Sequence, residues 1–320
     1  MTKNESSHRP RGAARLAKAM LHPVDYGNVD PMARPATVSR YISEPLVDSV
    51  LCVTDFSPES MNAFAHALTL AMNTRCHFTL LQVSKRAGAP DEWSGIPGAR
   101  GLLERWGYLQ GGTPECAMFE KLQLDATKVL KRTRDSYKAV REILNEKQID
   151  VVVVATGGRG GFTSWIRPSV AETAPADWRT MTLVVPGHAT GFVSQQTGYH
   201  TLRNIVVPIS PDFHPETAVT YAMRFAVFSL EDVIHVHLLH VGDPGHAWQV
   251  QVPERPYLTW RHVYRTGNPV SRIIETAREV DADLIVMTTP GKRAFLDTVL
   301  LTVPDQVVRL SPCPVLAVPV

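Results

Sequence analysis

Two stretches of this chain, IDVVVVATGGRGGFTSWIRPSVAE (149–172) and ADLIVMTTPGKRAFLDTVLLTVPD (282–305), align without a gap. Asp150 pairs with Asp283, Gly158 with Gly291, Ser169 with Thr302 and Pro186 with Pro319, all at an offset of 133 residues. Upstream, TDFSPESMNAFAHALTLAM (54–72) echoes SPDFHPETAVTYAMRFAVF (210–228), where Pro58-Glu59 pairs with Pro215-Glu216 at an offset of 157. A fold written twice is a strong constraint, because each copy must be a complete supersecondary unit. The change of offset gives the first copy about two dozen extra residues. They fall in RAGAPDEWSGIPGARGLLERWGYLQGG (86–112), whose Gly, Pro and Trp predict a loop with one short helix.

Each copy alternates strand and helix. In the second, apolar strands are predicted at 204–209, 233–241, 257–265, 283–288 and 315–318, with helices at 215–229, 270–280 and 302–310. Near-continuous apolar strands between helices of this length predict a parallel sheet covered on both faces. The first copy reads alike, with strands near 47–54, 76–83, 151–155 and 182–185 and a weakly marked third strand at 125–132. Ser57-Pro58-Glu59 is a helix start, with a capping hydroxyl, a proline at the first helical position and an acid in the first turn. Phe64, Ala67, Leu68 and Ala71 then share one face. The predicted fold is α/β, two doubly wound five-stranded parallel-sheet domains packed about a pseudo-two-fold axis. The apolar closing strands 182–185 and 315–318 would meet there, since such edges need a partner. The divisions are a basic tail over 1–43, a first domain over 44–187, a linker over 188–202 and a second domain over 203–320.

The chain has 320 residues, 44% apolar and 20% charged, with net charge +2. No long basic stripe underlies that charge, so no nucleic-acid partner is expected. No apolar run approaches 18 residues and the N-terminus has no apolar signal core, which points away from a membrane and toward the cytoplasm. Cys52, Cys76, Cys116 and Cys313 show no paired spacing and read as buried or partly buried thiols.

In a doubly wound sheet, ligands lie beyond the carboxyl ends of the strands, where strand order reverses. ATGGRGG leaves such a strand end. It is not a dinucleotide fingerprint, since Thr163 stands where the last glycine belongs, and PGKRA (290–294) is not a Walker loop, since Arg293 replaces the Ser or Thr. What remains is a loop of backbone N–H groups leading to a helix that begins at Ser169, a favourable place for an anion. Ser169 and Thr302 either donate to a phosphate or simply cap their helices.

These residues resemble the universal stress protein family over about 45–186 and 203–320. The carriers are VTDFSPES, DVVVVATGGRGG…PSVAE, GNPVSRIIETAREVDADLIVM and SPCPVLAVP. The resemblance implies a fold like that of the adenine nucleotide alpha-hydrolases, a regulatory role in stress, and a tandem pair that mimics a dimer. In nucleotide-binding members an aspartate ends the first strand, and a motif of Gly, two residues, Gly, nine residues, Gly and Ser/Thr wraps ribose and phosphates. Carried over, the first copy supplies Asp55, Ala155 for the first glycine, Gly158, Pro168 for the third glycine, and Ser169. The second supplies Ser210 with Asp212 nearby, Thr288 for the first glycine, Gly291, Leu301 for the third glycine, and Thr302. Pro168 has no N–H to give a phosphate, which costs about tenfold in affinity or more. Thr288 and Leu301 put branched side chains at both close-approach positions. The resemblance thus implies weak ATP or AMP binding in the first copy and a closed second copy.

Other readings stay open beside it. The pockets are degenerate and the chain is a structural or protein-partner module, or it is a weak ATPase. Catalysis is not expected, for no nucleophile elbow, Ser-His-Asp order or carboxylate pair is present, and TDFSPES stands where ATP-using relatives carry a glycine- and serine-rich loop. His235 and His237 share one strand face but lack a third ligand, so no metal is expected. Arg159 and Lys292 are loop charges within reach of a phosphate. Trp93 and Trp106 would lid a pocket or line an interface, and a homodimer is a further possibility.

Overall fold

The computed structural model describes residues 47–54, 57–84, 97–112, 122, 124–133, 136–156, 180–210, 214–227, 229, 231–243, 250–289 and 303–320. The predicted basic tail over 1–43 lies outside them.

The first half contains β1 (Ser49–Thr54), α1 (Pro58–Thr74), β2 (His77–Ser84), α2 (Pro97–Arg105), β3 (Ala126–Arg132), α3 (Ser136–Glu146), β4 (Val151–Thr156) and β5 (Met181–Pro186). The second contains β6 (Asn204–Ile209), α4 (Pro215–Ala226), β7 (Ile234–Val241), β8 (Leu258–Arg265), α5 (Pro269–Glu279), β9 (Leu284–Thr289), α6 (Val303–Leu310) and β10 (Val315–Pro319). The weakly marked third strand is present as β3. Its residues are only half-buried at the sheet's outer edge, which is why its hydrophobic signal is faint. The short helix expected in the insertion is α2.

The ten strands of the described residues form one sheet in the order β3-β2-β1-β4-β5-β10-β9-β6-β7-β8. Within each half every pairing is parallel. The halves meet edge to edge, β5 antiparallel to β10, with Val184 opposite Val315, Leu183 opposite Leu316 and Thr182 opposite Ala317. The two expected sheets are therefore continuous. The order reads alike from either end, as a two-fold relation of the halves requires. Pairing removes the free backbone groups of both apolar edges.

Alternate residues of each strand face opposite layers. Val50 and Cys52 of β1 join a core with Phe64 and Leu68 of α1, Leu102 of α2 and Phe225 of α4. Leu51 and Val53 join the other core with Val140 of α3, Ile273 of α5 and Val307 of α6. Asp150 accepts bonds from the backbone N–H groups of Asp48 and Ser49 at 2.8 and 3.0 Å. Its repeat partner Asp283 does the same for Arg203 and Asn204 at 2.7 and 2.9 Å. The repeated aspartate thus ties the loop before β4 or β9 to the start of its neighbour β1 or β6.

Candidate functional site

In the first half the chain builds β1, β2 and β3 outward, then returns to lay β4 on the other side of β1. That reversal is the switch point of a doubly wound sheet. β1 ends at Thr54 and β4 at Thr156, and the two strands are neighbours in the sheet. The second half repeats this with β6 and β9, which end at Ile209 and Thr289.

The described part of the first edge is a set of hydroxyls. Ser57 caps α1, its Oγ accepting from the Ser60 N–H at 3.3 Å. The Ser60 hydroxyl donates to the Ser57 carbonyl at 2.9 Å. Because that donation uses its only proton, Ser60 Oγ accepts from Thr54 Oγ1 at 3.0 Å. Thr54 and Ser60 are both buried, so their bond fixes the end of β1 against the first turn of α1. The described part of the second edge is built differently. There Ile209 ends β6, and His214 at the start of α4 has φ +44° and makes no side-chain cap bond.

Of the residues carried over from the resemblance, Ala155 lies in β4, half-buried against the core and paired with Val185. Its counterpart Thr288 is buried in β9 beside Val318. Ser210 follows β6 directly. Asp55, Gly158, Pro168, Ser169, Asp212, Gly291, Leu301 and Thr302 lie outside the described residues, as do Arg159, Lys292, Trp93 and Cys116.

His235 and His237 do stand on one face of β7, ring centroids 6.5 Å apart. His237 Nε2 meets Asn204 Oδ1 at 3.3 Å, and burial, Arg261 and His235 together push its pKa down to about 4. Among the described residues no three His, Cys, Asp or Glu side chains gather as a metal site would need. Cys52, Cys76 and Cys313 are buried free thiols. Burial raises the pKa of all three, Cys76 to about 11 and Cys313 to about 12, so they stay protonated and inert. Trp106 packs on the segment joining the halves, its Nε1 donating to the Gln195 carbonyl at 3.2 Å.

Sequence reasoning missed a polar stripe on α1. Asn62, His66, Thr69 and Asn73 recur at three- and four-residue spacing and are all buried. The signal was present in the repeat itself, because the positions 157 residues later are the apolar Val219, Met223, Ala226 and Leu230.

Fold and edge together define a duplicated doubly wound α/β protein with a switch-point edge in each half. The chain belongs to the universal stress protein family, which it matches over residues 47–186 and 246–319. It is 41% identical over 61 residues to a universal stress protein of Methanothermobacter thermautotrophicus, an overlap of 19% of this chain. The chain spans 41% of that relative's length. Its fold is like that of a universal stress protein from Archaeoglobus fulgidus, with TM-score 0.54 and 16% identity, covering 85% of this chain and 96% of that one. A universal stress protein from Lactobacillus plantarum aligns over 37% of this chain and 98% of its own, with TM-score 0.30 and 18% identity. No helix among the described residues is long and apolar enough to cross a membrane.

Proposed function

We propose that this chain is a cytoplasmic stress-response regulator that binds ATP or AMP weakly at the switch point of its first half. The supporting observation is the asymmetry of the two edges. In the first half the Thr54–Ser60–Ser57 hydroxyls tie the end of β1 to the start of α1, the two elements that flank Asp55 in sequence, and a small Ala155 stands at the strand end where the sugar would approach. In the second half, among the described residues, β6 ends on the apolar Ile209, His214 gives α4 no side-chain cap bond, and a buried Thr288 fills the matching position. Asp55 would hold the ribose hydroxyls, and Gly158 and Ser169 would hold phosphate oxygens. Pro168 withholds one donor, which keeps the affinity low.

Isothermal titration of the intact protein with ATP and with AMP tests this reading. Heat is expected at millimolar nucleotide, and Asp55→Ala and Ala155→Thr each weaken binding by about tenfold or more. Absence of heat with folded protein overturns it.

The buried Thr288 and uncapped α4 also favour a second role, in which the second half supplies architecture or a protein-binding face rather than a ligand site. A pull-down partner that is retained with and without nucleotide, and lost on trimming 86–112, supports that role.

A further inference from the structure

Residues 187–202 connect β5 to β6, and they do so pressed along α1. Asn62 Nδ2 donates to the Ala189 carbonyl at 2.7 Å. The N–H groups of Phe192 and Val193 both donate to His66 Nε2, at 3.1 and 3.3 Å. An imidazole nitrogen that accepts two bonds carries no proton, so the proton sits on Nδ1, which donates to the Asn62 carbonyl at 2.8 Å. At the far end Asn73 Nδ2 donates to His200 Nε2 at 3.2 Å, which makes His200 an acceptor too. The segment also grips the second half: His188 Nε2 donates to the Ser311 carbonyl at 3.1 Å, and the Leu202 N–H to Ser229 Oγ at 3.1 Å.

Beneath these bonds Phe192, Val193 and Leu202 are buried in the core that spans both halves, with Leu183 of β5 and Leu316 of β10. The cover at the centre of the sheet is therefore held down by two neutral histidines acting as acceptors.

We propose that residues 187–202 are an acid-released clasp, closed while His66 accepts two backbone protons beside His200 as a second acceptor, and opened when the His66 ring takes up a proton of its own. A protonated His66 would turn an N–H toward two N–H donors in a buried site. The groups facing it are Asn62 from α1, and the Phe192 ring, edge-on with centroids 4.5 Å apart, and His200 from the segment. Among the described residues no carboxylate acts on it. Burial, the largest cause, and the charge of His200 push its pKa down from 6.5 to about 4, against the Asn62 carbonyl, which favours the charged ring. Opening would free the second half's hold on α1 and bare the apolar face of β5 and β10.

Amide hydrogen exchange on the intact protein, corrected for intrinsic rates, tests the clasp. Protection of the Phe192 and Val193 amides is expected to fall about thirtyfold between pH 7.5 and pH 5, while amides in β1 and β9 change little. In His66→Gln with His200→Gln the dependence disappears, because an amide does not titrate. Wild-type protection that does not change with pH, or the same dependence in the double variant, overturns the proposal. Should that variant fail to fold, the His66 imidazole can be followed by NMR in the native chain. A ring that titrates at an ordinary midpoint while the Phe192 amide stays protected also overturns it.

Discussion

Gly191 shows how one residue can set a contact that spans 125 positions of sequence. Its φ of +74° lies in the left-handed region, and a Cβ there would stand 2.3 Å from the His66 ring. Gly107 has nearly the same φ, +75°, with nothing within 4 Å. The pair separates backbone strain from steric conflict. Gly107→Ala is expected to cost about 1 kcal/mol, the left-handed penalty alone. Gly191→Ala adds displacement of His66 and loss of its two accepted bonds, so at least about 2–3 kcal/mol is expected. Urea unfolding of both variants checks the difference. Equal costs would mean that the ring yields freely. At this scale the candidate site was only partly legible. The repeat pointed to Ala155 and Thr288 as counterparts, and their burial differs as their sizes suggest. The hydroxyl brace was half visible: Ser57 was read as a cap, but nothing in TDFSPES marks Thr54 as the partner of Ser60.

Among the elements, the junction of β5 with β10 and the two aspartate ties are the features most open to test. Leu316 faces Leu183 across the antiparallel pair and is wholly buried in the shared core. Leu316→Ala is expected to destabilise by about 3 kcal/mol. The aspartates Asp150 and Asp283 perform one job in two places, so Asp150→Ala and Asp283→Ala should each cost about 2 kcal/mol. Their sites are separated by several strands, and the double variant should be additive within about 0.5 kcal/mol. Denaturant midpoints at constant slope measure all three. A double variant much milder than the sum would show that the ties are coupled through the sheet. Helix and strand positions were legible because period and caps are local signals. Most observed strand limits lie within a residue of expectation, and α4 ends at Ala226, three residues earlier than predicted.

For the molecule as a whole, the two buried histidines with depressed pKa values set the response to acid. A ring whose folded pKa lies below its unfolded value is held neutral by the fold, and acid favours the unfolded chain, which binds protons first. Stability is therefore full above about pH 6.5 and falls as the pH drops toward about 4, the value reached by both His66 and His237. His66 alone accounts for a loss on the order of 3 kcal/mol across that window. Melting temperatures measured from pH 7.5 to 4.5 should fall steadily, and His66→Gln should flatten the part that His66 contributes. A melting temperature indifferent to pH in this range would contradict the assignment. What the amino-acid order determined unaided was the repeated strand–helix alternation, the start of α1 and the family. Each is written in residues near one another or in a pattern that the chain states twice. The meeting of β5 with β10 was expected from their apolar edges; tertiary structure alone decided that they join as an antiparallel ladder within one continuous sheet, and that the connecting segment is clasped to α1. Those outcomes depend on which buried polar atom finds a partner more than a hundred residues away, and no local periodicity carries that choice.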